Sequence, residues 1–346
     1  MKIYIILAII LTVFSLYSKA INLESEFNFG FQYDSNVILL SDDDADQFLD
    51  NEKPEKYQIS SLDDMVLNMS YALKMKNYFF SGHTQIDDLK LNFNKYLENS
   101  VKDNGYISFG IKQYFSKKLD MSIRYYYYPQ IYLRQYKSVL DENEDEYHEF
   151  EYSKNFYTAN LKWDAAPILN LQYGIQYSQL FFNEWFTEYD AGILTSNITL
   201  KCDMVKKIQF SLRYGYRIAE ADAEDAFADP ASVSVIKDAS YKSNIYYGNL
   251  KFKKMPLKTT VNLSYQLETR YYDSNNINDT YHYGRNDYIH SIKTGIYKTL
   301  HKNMAMNLKA EYGFRQTESP VLSVVTDKEY SFWKAGISFT YDIIIK

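Results

Sequence analysis

Trp333-Lys334-Ala335-Gly336-Ile337-Ser338-Phe339-Thr340-Tyr341-Asp342-Ile343-Ile344-Ile345 is the stretch whose reading decides the fold. Its odd positions, from Trp333 through Ile337, Phe339 and Tyr341 to Ile345, are apolar or aromatic. Lys334, Gly336, Ser338, Thr340 and Asp342 alternate with them. Side chains on a strand point to opposite faces in turn, so this segment has one apolar and one polar face. With its apolar face outward, a strand of this length crosses a bilayer at a tilt. The edge of a soluble sandwich shows the same alternation, so the decision rests on how often the chain repeats it.

The chain repeats it from end to end. Phe27, Phe29, Phe31 and Tyr33 alternate with Glu26, Asn28, Gly30 and Gln32; Met65, Leu67, Met69, Tyr71, Leu73 and Met75 alternate with Asp64, Asn68, Ser70 and Lys74. Tyr78 to Ile86 is weaker, and Leu89, Leu91 and Phe93 continue in the opposite phase, which predicts a bulge near Asp87. Strong segments follow around Phe109, Ile123, Leu161, Tyr173, Leu212, Leu263, Ile292 and Leu308, with a poorer one at Leu194, Ile198 and Leu200. The count is about fourteen, an even number within the range of single-chain outer-membrane barrels.

Composition agrees. Tyr is 36 and Phe 21 of the 346 residues, yet mean hydropathy is −0.43, so apolar residues are interleaved with polar ones rather than gathered into helical spans. Only residues 1–20, MKIYIILAIILTVFSLYSKA, form a continuous apolar run. Lys2, the core from Ile3 to Leu16 and the small-residue site Ser18-Lys19-Ala20 read as a signal peptide. The expected organisation is a signal over 1–20 and one barrel domain over 21–346. The lone cysteine, Cys202, permits no internal disulfide. A closed hydrogen-bonded barrel would supply the missing restraint.

Connections alternate in length. Brief ones are expected at Lys76-Asn77, 116–118, 164–167, 203–207, 253–256 and 299–302, and long polar ones at 36–60, 88–104, 134–151, 219–240, 273–284 and 316–329. Short periplasmic turns and long extracellular loops are the habit of transmembrane barrels. The expected fold is therefore all-β: a transmembrane antiparallel up-and-down barrel of about 14 strands. Rings gather near expected strand ends, with Tyr125–Tyr128, Trp185, Tyr214 and Tyr271 above and Trp163 and Trp333 below, as at membrane interfaces.

Phe29-Gly30-Phe31-Gln32-Tyr33-Asp34-Ser35-Asn36-Val37 resembles the opening strand of a broad group of bacterial outer-membrane β-barrel proteins. The group includes barrels of surface-lipoprotein export factors and exopolysaccharide-associated outer-membrane proteins. Tyr272-Asp273-Ser274-Asn275 echoes that motif, and Arg285-Asn286-Asp287 with the final strand is similar to the group's C-terminal region. The last residues, Ile345-Lys346, depart from the Phe or Trp on which such strands usually finish. The resemblance implies a cell outer membrane of the Gram-negative type, with outer-membrane lipid, lipopolysaccharide and the barrel-assembly machinery as partners.

No nucleophile, base and orienter converge in the sequence, so no enzyme is expected. His83, with Ser81 and Asp87 on its face, reads as a polar lumen residue. Asp287 and His290 fall on opposite faces of one strand. The acidic runs at 42–46, 141–146 and 220–229 lack the spacing and glycine of a calcium loop and read as solvated loops, so neither metal nor cofactor is expected. Nothing points to nucleic acid.

The inward positions are polar and carry more bases than acids, with Asp87 counted among the acids. The pore-lining candidates are His83, Lys112, Arg124, Arg213, Arg217, Glu268, Arg270, Lys293, Lys309, Glu311 and Arg315. The expectation is a porin-like channel for small solutes with a modest anion preference. Two alternatives are an export or assembly module for surface polysaccharide or lipoprotein, and a barrel-anchored receptor or adhesin using the acidic loops.

Overall fold

In the computed structural model, residues 22–79, 82–138, 146–205, 207–222 and 238–345 are described; the signal segment 1–20 and most of the acidic runs 141–146 and 220–229 lie outside them. Fourteen strands follow one another round a closed barrel, each paired with its sequence neighbours. They are β1 (Asn22–Asp34), β2 (Asp64–Phe79), β3 (His83–Tyr96), β4 (Asn104–Tyr114), β5 (Leu119–Lys137), β6 (Tyr147–Ala166) and β7 (Leu169–Phe182). The second half comprises β8 (Ala191–Val205), β9 (Ile208–Ala221), β10 (Tyr241–Met255), β11 (Thr259–Tyr272), β12 (Asn286–His301), β13 (Met304–Glu318) and β14 (Tyr330–Ile345). β14 closes on β1 antiparallel, from Leu23 opposite Ile345 to Asp34 opposite Lys334.

The register carries the alternation round the wall. Phe27 stands opposite Tyr71 and Tyr71 opposite Leu91; Ile198 stands opposite Tyr214 and Tyr214 opposite Tyr246. These side chains face outward and are exposed: Leu212 by 48% and Ile198 by 55%, while inward Ser243 and Asp287 are at 0%. That is a globular protein inside out, the distribution of a barrel whose outer face meets lipid.

Connections alternate between brief ones at the lower end, such as 167–168 and 302–303, and longer ones at the upper end, such as 35–63, 273–285 and 319–329. Both ends of the barrel chain, Asn22 and Ile345, lie below. Three expectations are corrected. β2 runs on to Phe79 and β3 begins at His83, so the chain does not turn at Lys76-Asn77. β3 then pairs without a bulge at Asp87, from His83 opposite Phe79 to Tyr96 opposite Val66. Trp333 lies near the upper end, its ring 4.7 Å from that of Tyr33, because β14 descends from the last long loop.

The first long loop folds over the mouth. Asn36 turns the chain by accepting from Leu40 N (2.8 Å) and donating to Leu40 O (2.8 Å) and Ser331 O (3.1 Å). A helix then runs over Asp42–Leu49, its N-cap Ser41 accepting from Asp44 N, with three aspartates in the first turn where the helix dipole favours them. Val37, Ile38, Leu40, Tyr57 and Ile59 pack on Tyr132 of the upper wall, forming a buried apolar cluster at the top of the lumen. The run at 42–46 is thus only partly solvated: Asp44 is buried against Lys56 (2.5 Å) and Arg134 (3.4 Å). A second short helix, Leu322–Lys328, lies beside the first across the mouth.

Candidate functional site

The lumen wall is the charged surface that the register places inside. Lys112 and Asp120 meet at 3.3 Å near the lower end, with Lys162 3.8 Å from the same aspartate. Arg124 reaches Asp88 at 2.6 Å. Lys293 stands directly opposite Glu311, at 2.9 Å. Higher up, Glu268 is held between Arg217 (2.8 Å) and Arg270 (2.7 Å), and Arg315 lies 2.9 Å from Asp287. Most sequence-derived pore-lining bases therefore face a carboxylate across the sheet.

Several inward bases are in no ion pair among the described residues. Arg213 donates to Gln266 Oε1 (3.3 Å) and stacks 4.6 Å from the Tyr247 ring; Lys201 reaches only Gln172 Oε1 (3.5 Å). Lys251 and Lys309 belong with them, as do Lys90 and Lys154, which lie over the Tyr106 and Phe156 rings at 6.0 and 4.9 Å. Lys201, Arg213 and Lys251 share one stretch of wall, since Lys201 is opposite Ser211 on β9 and Lys251 opposite Gln209.

Two candidates need correction. His83 opens β3 beside the lower turn, exposed, on the face that carries Leu89 and Leu91, so it lies outside the lumen. The same phase puts Asp87 on the outer face, bound by Asn77 Nδ2 (2.8 Å) and Gln85 Nε2 (2.7 Å), and leaves Asp88 as the inward acid. His290 also faces outward: its Nδ1 is 2.9 Å from Tyr265 Oη and its ring stacks on Phe314 at 4.3 Å.

The wall changes character with height. In the lower half, side chains reach water: Lys293 is 56% exposed and Lys309 is exposed. In the upper half Asp34, Ser243 and Asp287 are sealed. Sequence reading missed Asp34, Asp88, Arg134, Lys154 and Asp287 as inward charges. Asp34 binds Lys334 at 2.7 Å, and Asp287 sits between Arg285 (2.8 Å) and Arg315. Above the wall, burial and the nearby Lys334 charge push the Lys102 ammonium down to about 8, and burial lowers Lys328 as well.

No family model matches the chain, and no curated protein matches it. Solved structures do. The outer membrane channel DcaP of Acinetobacter baumannii is similar with a TM-score of 0.50 at 9% identity, covering 95% of this chain and 99% of that one. An anion-selective porin from Comamonas acidovorans gives 0.45 at 8% identity, covering 94% and 99%. A bacterial polysaccharide outer membrane secretin gives 0.48 at 8%, covering 92% and 98%. The likeness establishes the fold: this chain is a β-barrel of the outer-membrane type.

Proposed function

We propose that the protein is an outer-membrane channel for small polar solutes with a modest preference for anions. The observation that carries this is the inside-out wall: apolar and aromatic outside, charged inside, with lower lumen bases such as Lys293 and Lys309 open to water. A charged interior is costly unless it is paired or hydrated, and the second condition holds over the lower half. Arg213, Lys201, Lys251 and Lys309 add positive charge that no carboxylate among the described residues answers, and bases on a pore wall concentrate anions. The first loop and the Leu322–Lys328 helix cross the mouth at the upper end.

In this reading the chain is exported by its first 20 residues and inserted by the barrel-assembly machinery. The short turns lie in the periplasm and the long loops face lipopolysaccharide. The barrel carries no enzymatic activity. The test is swelling of proteoliposomes in an uncharged pentose and in small organic anions of similar size. Swelling faster than in protein-free vesicles supports the channel; no swelling in either solute contradicts it.

A further inference from the structure

Between the loops and the upper wall lies a cavity of about 450 Å³, within the size range of small-molecule sites. Its charge is set by three buried carboxylates, each shared by two cations. Asp287 serves Arg285 and Arg315, Glu268 serves Arg217 and Arg270, and Asp44 serves Lys56 and Arg134. Each group keeps one positive charge over. Lys102 and Lys328 add to this with neutral partners: Lys102 Nζ donates to the Tyr132 carbonyl (2.8 Å) and Lys328 Nζ lies 3.5 Å from Tyr136 Oη. Lys137, Glu188 and Asp327 also line the cavity, and the buried Asp279 carboxylate lies 3.0 Å from the lining His282; the cations still outnumber the carboxylates.

The guanidiniums are held in place. Arg285 stacks 4.3 Å from the Tyr272 ring, and Arg315 Nε is buried without a hydrogen-bond partner among the described residues. A buried donor left unmade costs free energy that a bound acceptor would recover. The lining also offers apolar side chains, Val37, Ile38, Leu133, Phe150 and Phe186, interleaved with tyrosine rings, Lys137 and His282.

We infer that this cavity is a binding site for a small organic anion with an apolar body, its carboxylate toward Arg315 and Lys328 and its body on the Phe150–Phe186 side. An inorganic anion would leave the apolar side wet, and a neutral solute would leave the positive charge unanswered. The site deepens the channel reading by naming a solute class, and binding is measured without conduction, so each can fail alone.

The experiment is calorimetric titration of the full barrel in non-ionic detergent with 4-phenylbutyrate, 4-phenylbutanol and inorganic phosphate. Parent, Arg315→Gln and Lys328→Gln are compared, with heat-modifiable gel migration as the folding control. The expected result is binding of 4-phenylbutyrate about tenfold tighter than either control, weakened about tenfold by each substitution, the effect of losing roughly one charge contact. If Arg315→Gln does not fold, Lys328→Gln decides, since no carboxylate depends on Lys328. Absence of binding, equal binding of the alcohol or of phosphate, or unchanged affinity in the folded variants would overturn the site. A silent bilayer with binding intact would instead remove the channel and leave the site.

Discussion

Asp88 on β3 and Arg124 on β5 meet over a glycine of the strand between them, Oδ1 to Nη2 at 2.6 Å. The register puts Asp88, Gly110 and Arg124 in one row, and a Cβ on Gly110 would fall 2.8 Å from both charged atoms. The glycine therefore lets an ion pair bridge alternate strands. Gly110→Val should cost about 1–3 kcal/mol through overpacking, read as a lower urea midpoint for loss of the heat-modifiable form. An unchanged midpoint would show that the pair bends away freely.

The same pair separates charge from structure. Asp88→Asn should move the reversal potential toward anions and Arg124→Gln toward cations, while the double variant returns near the parent. Shifts of the same sign from both single changes would show that the pair is not what neutralises this level of the wall.

The faces can be labelled. Cysteines at Leu67 and Leu212 should react only with lipid-soluble reagents, and cysteines at Asn68 and Arg213 with water-soluble ones, because a slip of one residue exchanges faces. The reverse pattern would place the membrane on the wrong side of the sheet.

The site at the mouth should depend on pH through Lys102, which lies outside the strands. With its ammonium at about 8, the charged fraction falls from about nine-tenths at pH 7 to about one-tenth at pH 9. A lysine loses positive charge as pH rises, so affinity for 4-phenylbutyrate should drop several-fold across that window. Lys102→Gln should bind more weakly and with a shallower pH dependence, Lys328, whose ammonium burial also lowers, supplying what remains. A parent affinity that is flat from pH 7 to 9 would contradict this.

The first loop is held by burial, not by covalent ties. Leu40 is 2% exposed, and truncating such a leucine costs about 2–5 kcal/mol. Leu40→Asp, which also buries a charge, should release the loop, raise conductance and open the bond after Lys56 to trypsin. A variant with parental conductance and protease resistance would show that the Val37–Leu40 packing does not close the mouth.

The wall was legible because period two states the face of each residue locally. Leu212 between Ser211 and Arg213 needs no distant information. The slip at β2–β3 has a local cause: Tyr78-Phe79-Phe80 reads as strand, and the turn signal that remained was Gly82, at φ 85°. Missing it moved His83 inward and exchanged Asp87 for Asp88. The first-loop helix left a signal too, Ser41 before three aspartates, outweighed by the habit of reading acidic runs as solvated. The mouth site left none. Asp287 meets Arg315, and Asp44 meets Arg134, across long stretches of chain, and pattern within one segment cannot see such pairs.

The central claim is a hydrated lumen whose unanswered bases favour anions. Its most direct test is a planar-bilayer recording across a potassium chloride gradient, on the parent and on Arg213→Gln. The account predicts a stable open level, a reversal potential on the anion side, and movement toward zero in the variant. Silence would contradict the channel, and cation selectivity, or a variant indistinguishable from the parent, would contradict the role given to the wall.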